Sequence, residues 1–162
     1  EVAEGIYQGI LPYYIGLSSE NGDDTVARSV SELQASLILG RPEAFINFLI
    51  QFFDEAQYDF FDTKRIEKSF RDVIYCISKL MGMNTRIEDH TPRGSIDMMA
   101  ETDQYVYIFE YKVNKTALVA MSQINERGYA LKYLHSGKRI IKIAVNFSTQ
   151  TRNIDDFLIE EC

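Results

Sequence analysis

Apolar side chains recur every three or four positions through the first 81 residues of the chain. This spacing is typical of helices that bury one face. One run precedes the break at Gly40-Arg41-Pro42 and consists of Val26, Val30, Leu33 and Leu37. The next follows that break and is formed by Phe45, Phe48, Leu49, Phe52 and Phe53. A shorter helical run stops at Pro12, and a long helix is predicted over about 63–81, ended by Gly82.

After about residue 83 the pattern favours strands. Strands are predicted over 84–88, 95–100, 105–113 and 138–147, with a short closing strand near 157–160. A turn over 101–104 separates the second strand from the third, and a helix is predicted over about 115–134. The order is helix, three strands, helix, strand. It predicts an α/β fold with a mixed sheet between helices.

The predicted strand 105–113 carries two charges within an apolar sequence. Its odd positions are all aromatic or apolar, and its even positions run from Val106 and Ile108 to Glu110 and Lys112. Such a strand is typical of one buried on both faces. Because side chains alternate along a strand, Glu110 and Lys112 point to the same face. Buried charges must be paired or bound to metal, and this pair is therefore either an ion pair alone or part of a site.

Hairpin register decides whether Asp97 joins these charges. A two-residue loop at Thr102-Asp103 places Asp97 opposite Ile108 and therefore on the face of Glu110, one diagonal step of about 7–8 Å away. A four-residue loop keeps this arrangement, whereas a one-residue slip would turn Asp97 to the other face. Two carboxylates, with waters and a substrate phosphate, are how Mg²⁺ is commonly held. A lysine beside them would orient the attacking water or stabilise charge on the phosphate.

The spacing Asp97, then Glu110-x-Lys112, resembles the signature of the PD-(D/E)xK nuclease superfamily. The longer sequence around these residues is similar to the nuclease-like domain that follows an N-terminal AAA-ATPase-like domain in bacterial proteins. The similar stretches lie between about Glu67 and Asn153 and read RGSIDMMAETDQYVYIFEYK, QINERGYA and KIAVNFSTQTRNIDD. The resemblance implies a restriction-endonuclease-like fold with a helix-β-β-β-helix-β core over 62–162. Residues 1–61 would be a helical extension or linker to the ATPase-like part.

The resemblance also implies roles for individual residues. Asp97 and Glu110 would be metal ligands, with the backbone carbonyl of Tyr111 as a third. Lys112 would be the catalytic lysine. Without the resemblance, Glu110 and Lys112 are equally an edge-strand ion pair with no chemistry, and Asp97 is a solvated residue near a turn.

Two helix residues match further positions of the family. Glu67 matches an acidic residue beside the metal, and Gln123 matches a position that is often polar. Glu67 lies in the charged run 64–68, and both residues are read equally well as ordinary helix residues. The chain departs from the family where Ile96 replaces the proline of the signature. It departs again at Ser95, where a basic residue would contact phosphate.

The charge balance limits the functional classes. The chain has 17 basic and 24 acidic residues, for a net charge of −7, which argues against a protein that binds phosphates through a broad basic surface. It does not exclude a nuclease whose own active site is acidic. A content of 46% apolar residues excludes a disordered chain.

The remaining features concern location and other metals. No apolar run is long enough for a membrane span, and no leader pattern opens the chain. Cys76 and Cys162 lie far apart, which predicts no disulfide framework or zinc site and favours a reducing, cytoplasmic location. His90 and His135 lack a third ligand. Because the first residue is Glu1, we expect the C-terminal piece of a longer protein.

The first hypothesis is a Mg²⁺- or Mn²⁺-dependent phosphodiesterase that acts on DNA. The second is a catalytically inactive nuclease fold that serves as an interaction or regulatory module, with the ATPase-like domain of the same parent chain as its partner. A DNA-binding module without catalysis comes third. The sequence does not distinguish DNA from RNA as the substrate, or internal from end cleavage. A homodimer is also left open, because many nucleases of this fold pair up while no dimer face is identifiable here.

Overall fold

The computed structural model describes residues 23–55, 70, 73–75, 79 and 82–162. Its helices are α1 (Asp23–Ile38), α2 (Pro42–Glu55) and α3 (Ala117–Arg127), and a 3₁₀ helix, η1 (Tyr129–Tyr133), follows α3. Its strands are β1 (Asn84–Thr91), β2 (Gly94–Glu101), β3 (Tyr105–Val113), β4 (Arg139–Ser148) and β5 (Asn153–Glu161). The described residues within 70–79 are also helical, as predicted. The predicted helical run before Pro12 lies outside the described residues.

The strands form one mixed sheet in the order β1-β2-β3-β4-β5. Neighbouring strands are antiparallel except β3 and β4, which are parallel and are joined through α3. A parallel pair requires such a crossover connection. The mixed five-stranded sheet flanked by helices confirms the expected restriction-endonuclease-like α/β fold.

One side of the sheet, here called the aromatic face, packs against α1, α2 and the helical residues near Phe70. Its β3 residues are Tyr105, Tyr107, Phe109 and Tyr111. Phe109 meets Phe45 edge-on with ring centroids 5.9 Å apart, and Tyr111 meets Phe70 at 5.5 Å. Burial raises the pKa of Tyr107, so its hydroxyl stays protonated and donates to the Leu37 carbonyl.

The other side, the α3 face, is covered by α3 and η1. The helix buries Ala117, Ala120, Met121 and Ile124 on it. Thr116 caps the start of α3 by accepting from Val119 N at 3.3 Å. Gly128 ends it in the left-handed conformation at φ 63°, which glycine adopts at little cost. The helix predicted over 115–134 is therefore wrong in its continuity, because Gly128 divides it into α3 and η1.

Of the two loop lengths considered for the β2–β3 hairpin, the two-residue loop at Thr102-Asp103 is not formed. Glu101 pairs with Val106, not with Gln104. Thr102 N donates to Tyr105 O at 2.9 Å, and the Thr102 hydroxyl accepts from Tyr105 N at 2.9 Å and from Gln104 N at 3.3 Å, so the chain reverses one residue later than that loop would place it. The register moves by two residues. Asp97 consequently loses the expected position opposite Ile108, and since the shift is an even number of residues, its predicted face does not change by this shift.

Candidate metal centre

Asp97 lies where the ladder between β2 and β3 ends. The last pair is Met98 with Phe109, and one step beyond it are Asp97 and Glu110. There the Asp97 carboxylate accepts a hydrogen bond from Tyr111 N, with Oδ2 at 2.9 Å. A side chain thus replaces the backbone partner, and this bond anchors the carboxylate to β3.

The strand on the other side of Asp97, β1, is also irregular at this level. In β1, Glu88 has a positive φ of 50° and forms no register pair, although Ile87 and Asp89 on either side do. β2 also departs from regular alternation here, because Ile96 and Met99 are three positions apart and yet both pack in the cluster beneath α3. Local irregularity of this kind re-aims a side chain at the edge of a regular ladder.

Glu110 and Lys112 form an ion pair on the α3 face. Lys112 Nζ lies 2.7 Å from Glu110 Oε1, and the side chains are 15% and 1% exposed, respectively. Ala144 is the neighbour of Glu110 on β4, so a single methyl group flanks the carboxylate there. Removing a carboxylate from water costs several kcal/mol unless the pairing is good. This close pair supplies that compensation, while the Lys112 side chain stays partly exposed.

The donor set fits a hard divalent cation. Asp97 and Glu110 contribute carboxylate oxygens from adjacent strands, and the buried Glu110 Oε2 lies on the α3 face. Tyr111, next in sequence, has the carbonyl predicted as a third ligand. Mg²⁺ and Mn²⁺ prefer such oxygen ligands and complete their shells with water or substrate. Within the described ranges, no group of three or more His, Cys, Asp or Glu side chains could hold a metal.

Gln123 lies on α3, and its side chain contacts η1. Its Nε2 lies 3.3 Å from the Tyr129 hydroxyl. Tyr129 is 2% exposed, and its hydroxyl would lie 3.1 Å from a Cβ placed on Gly94, whose φ is 148°. Gln123 is therefore connected to the start of β2 through Tyr129, not directly to Asp97, Glu110 or Lys112. Tyr129 was not singled out from the sequence, although it belongs to the QINERGYA stretch.

Asn146 is a second residue that sequence reasoning missed. It is the β4 neighbour of Lys112 and is buried. Its Oδ1 accepts from Lys115 N at 2.8 Å, and its Nδ2 donates to Asp155 at 2.7 Å. The connection that follows Lys112 is therefore held by β4 and β5. No local signal could have revealed this, because the partners are up to 31 positions apart.

The remaining candidates fall in three groups. Glu67 and Cys76 lie outside the described residues. His90, His135 and Cys162 are exposed. Ser95 has a buried hydroxyl with no hydrogen-bond partner within the described part of the chain. The histidines thus gain no support as ligands from their surroundings.

Comparisons with known proteins bear on this geometry. A family model described as the PD-(D/E)XK nuclease superfamily matches residues 65–157. An uncharacterized protein in the vnfD 5' region of Azotobacter chroococcum mcd 1 is 30% identical over 141 residues, or 84% of this chain. The chain spans only 27% of that relative. No solved structure gives a significant match. Across the described helices, none is long and apolar enough to cross a membrane.

Proposed function

Because the chain belongs to the PD-(D/E)XK nuclease superfamily, we propose that it is a divalent-metal-dependent nuclease that hydrolyses phosphodiester bonds in DNA. Members of this superfamily generally use divalent metals. The observation that carries the proposal is the buried ion pair of Glu110 and Lys112, with Nζ 2.7 Å from Oε1. Asp97 lies one register step beyond the last β2–β3 pair and is anchored to Tyr111 N, and on this basis the two carboxylates are proposed to face one metal.

The proposed roles follow from the contacts of each residue. Asp97 and Glu110 hold Mg²⁺ or Mn²⁺, with the Tyr111 carbonyl as a further ligand. A bound cation of this kind polarises a phosphoryl oxygen and favours deprotonation of water. The hydrogen bond from Tyr111 N to Asp97 orients that carboxylate before any ligand arrives. This preorganisation lowers the cost of assembling the site.

Lys112 is proposed to act on the water and the phosphate. Its ammonium group is held against Glu110, and its side chain is partly exposed. A substrate phosphate can therefore approach it from solvent. The positive charge orients the attacking water and stabilises the negative charge that develops on the phosphate. Gln123, fixed by Tyr129, is proposed as a polar residue at the margin of the site, and Glu67 stays a prediction.

A nuclease-fold interaction or regulatory module without catalysis is the second candidate. The net charge of −7 favours it, because an acidic chain repels nucleic acid over most of its surface. Its proposed partner is an N-terminal ATPase-like domain in the same parent protein. That partner, and the division into a linker over 1–61 and a nuclease domain over 62–162, rest on the sequence resemblance alone.

A cleavage assay with matched variants tests the nuclease. Wild-type chain with Mg²⁺ or Mn²⁺ should cut plasmid or linear DNA, and EDTA should stop it. Asp97→Asn and Lys112→Ala should each slow cleavage about 100-fold or more. The controls Asp103→Asn and Lys115→Ala remove the same charges from exposed positions and should cut like wild type. An Asp97→Asn protein that cuts at the wild-type rate would refute the proposal.

Thermal unfolding separates a missing substrate from a missing site. A ligand that binds only the folded state adds about 2.7 kcal/mol of stability at a hundredfold excess over its dissociation constant. We expect millimolar Mn²⁺ to raise the midpoint of wild type and Asp103→Asn but not of Asp97→Asn. If wild type shows no rise and cuts neither DNA nor RNA, the interaction module replaces the nuclease as the proposal.

A further inference from the structure

A basic cleft lies beside the candidate metal centre, between the β1–β2 turn and the end of α3. Its volume is about 380 Å³. Its lining includes Arg93 from the turn, Arg127 from the last residue of α3, and Lys132 from η1. None of the residues that line it is acidic. The chain as a whole has a net charge of −7, so the charge of this cleft is opposite in sign to that of the protein.

The two arginines of this basic cleft are not neutralised by the protein around them. Arg127 Nη1 donates to the carbonyl of Arg93 at 2.9 Å, which holds the turn against the helix. Among the residues that the structure describes, neither guanidinium group forms a salt bridge with a carboxylate. Two neighbouring cations without counter-charges are unfavourable unless an anion joins them.

Lys132 differs from the arginines because it already has a partner. Its Nζ lies 2.6 Å from Asp89 Oδ2, and the Tyr133 hydroxyl donates to the same carboxylate. This contact joins η1 to β1 and forms one wall of the basic cleft. The charge that remains for a ligand is therefore that of Arg93 and Arg127.

The position of the basic cleft relates it to the metal centre. Gln123 precedes Arg127 by one helical turn, so the two share a side of α3. Arg93 is followed by Gly94, which begins β2. Asp97 lies three residues further along that strand, about 10 Å at 3.3 Å per residue.

We propose that the basic cleft binds a backbone phosphate of the substrate nucleic acid, near the bond that is cut; this inference rests on the proposed nuclease function. A guanidinium group presents paired N–H donors that match the oxygens of a phosphate. Leu131, which also lines the cleft, offers an apolar surface to the adjoining sugar. Since the contact is to the backbone, it positions the strand without selecting a base sequence.

Salt-dependent binding tests the assignment without any need for cleavage. The affinity of the full chain for a labelled DNA duplex is measured by fluorescence anisotropy in EDTA over a series of salt concentrations. Each phosphate contact contributes about 0.9 to the slope of log K against log[salt]. Because both arginines serve one phosphate, the Arg93→Ala/Arg127→Ala variant should lower the slope by about 1, and Arg93→Ala should lower it by part of that amount. Affinity should fall about tenfold per arginine.

The variants are chosen so that folding defects do not imitate the result. Among the described residues, the hydrogen bonds of Arg93 use its backbone only, so Arg93→Ala leaves the turn's contacts in place, whereas Arg127→Ala also removes the bond to Arg93 O. Arg41→Ala/Lys79→Ala removes the same charge from two exposed positions on the helical side of the molecule and should keep the wild-type slope. Repulsion from the metal-free carboxylates is common to all four proteins.

The outcomes distinguish this inference from the function on which it rests. An unchanged slope in both arginine variants, or an equal loss in the control pair, overturns the basic cleft even if Asp97-dependent cleavage is observed. A slope that falls as expected, together with cleavage that ignores Asp97→Asn, supports the basic cleft and overturns the nuclease. If wild type binds no DNA at low salt, the basic cleft is overturned as a DNA site.

Discussion

On the aromatic face, β3 presents Tyr107, Phe109 and Tyr111 to the helical layer, whereas on the α3 face the same strand presents Glu110 and Lys112. Both sets are largely buried. The aromatic side chains meet other rings at centroid distances near 5–6 Å. The charged side chains meet each other at 2.7 Å. Alternation along one strand has thus divided packing from polar chemistry.

The division also runs along the α3 face itself. Apolar Val106, Ile108 and Ile140 lie at the beginnings of β3 and β4, and the charged pair lies towards the end of β3. Lys142, among the polar residues on this side, donates to Asn125 and Glu160 at 2.8 Å each. Apolar burial is the main source of stability, whereas buried polar groups need specific partners. The α3 face therefore retains buried charged groups only where contacts compensate for the loss of water around them.

The largest expected effect comes from two adjacent substitutions on opposite faces. Phe109→Ala should lower the free energy of unfolding by about 3–5 kcal/mol, because it leaves a cavity against Phe45 and Tyr111. Glu110→Gln should lower it by about 1 kcal/mol or less, since an amide oxygen still accepts from Lys112 and a buried charge is removed. Urea unfolding measures both. A larger loss for Glu110→Gln would contradict the division between the two faces.

An intermediate effect is expected from two buried asparagines. Asn146 holds the connection after Lys112, whereas Asn153 donates to Ile50 O at 3.0 Å and to Asp54 at 2.6 Å and joins α2 to β5. Replacing either by alanine should cost about 1–3 kcal/mol of stability. Only Asn146→Ala should also weaken the Mn²⁺-induced rise of the unfolding midpoint. If Asn153→Ala weakens it equally, the two faces are coupled and the comparison fails.

The smallest effect concerns the polar contacts that join η1 to β1. Burial opposes ionisation of Asp89, but hydrogen bonds from Lys132 and Tyr133 lower its pKa below the ordinary value. The ionised carboxylate therefore stabilises the folded state above the unfolded pKa, and this contribution is lost as the pH falls through the lower, folded pKa. Between about pH 5 and pH 3, wild type should lose a few tenths of a kcal/mol more than Asp89→Asn. Equal losses in urea titrations at both pH values would contradict this role.

Several elements were predictable because their signals are local. The break at Gly40-Arg41-Pro42 separates α1 from α2 as expected, and β3 has its predicted bounds. The pattern did not predict that the helix after β3 is divided into α3 and η1, although Gly128 is the residue type expected in a left-handed cap. The length of the β2–β3 turn was not decided by the pattern, because the backbone and side chain of Thr102 both bond to Tyr105 and so set where the chain reverses.

Alternation along β3 already determined that Glu110 and Lys112 share a face, and the parity of the hairpin placed Asp97 there as well. The tertiary structure alone decided that Tyr111 N fixes the Asp97 carboxylate, that Asn146 reaches Lys115, and that Arg127 meets Arg93 across 34 positions. The physical reason is range. A repeating pattern reports which side of an element is buried, whereas turn closure and helix packing decide which distant polar groups come within hydrogen-bond distance.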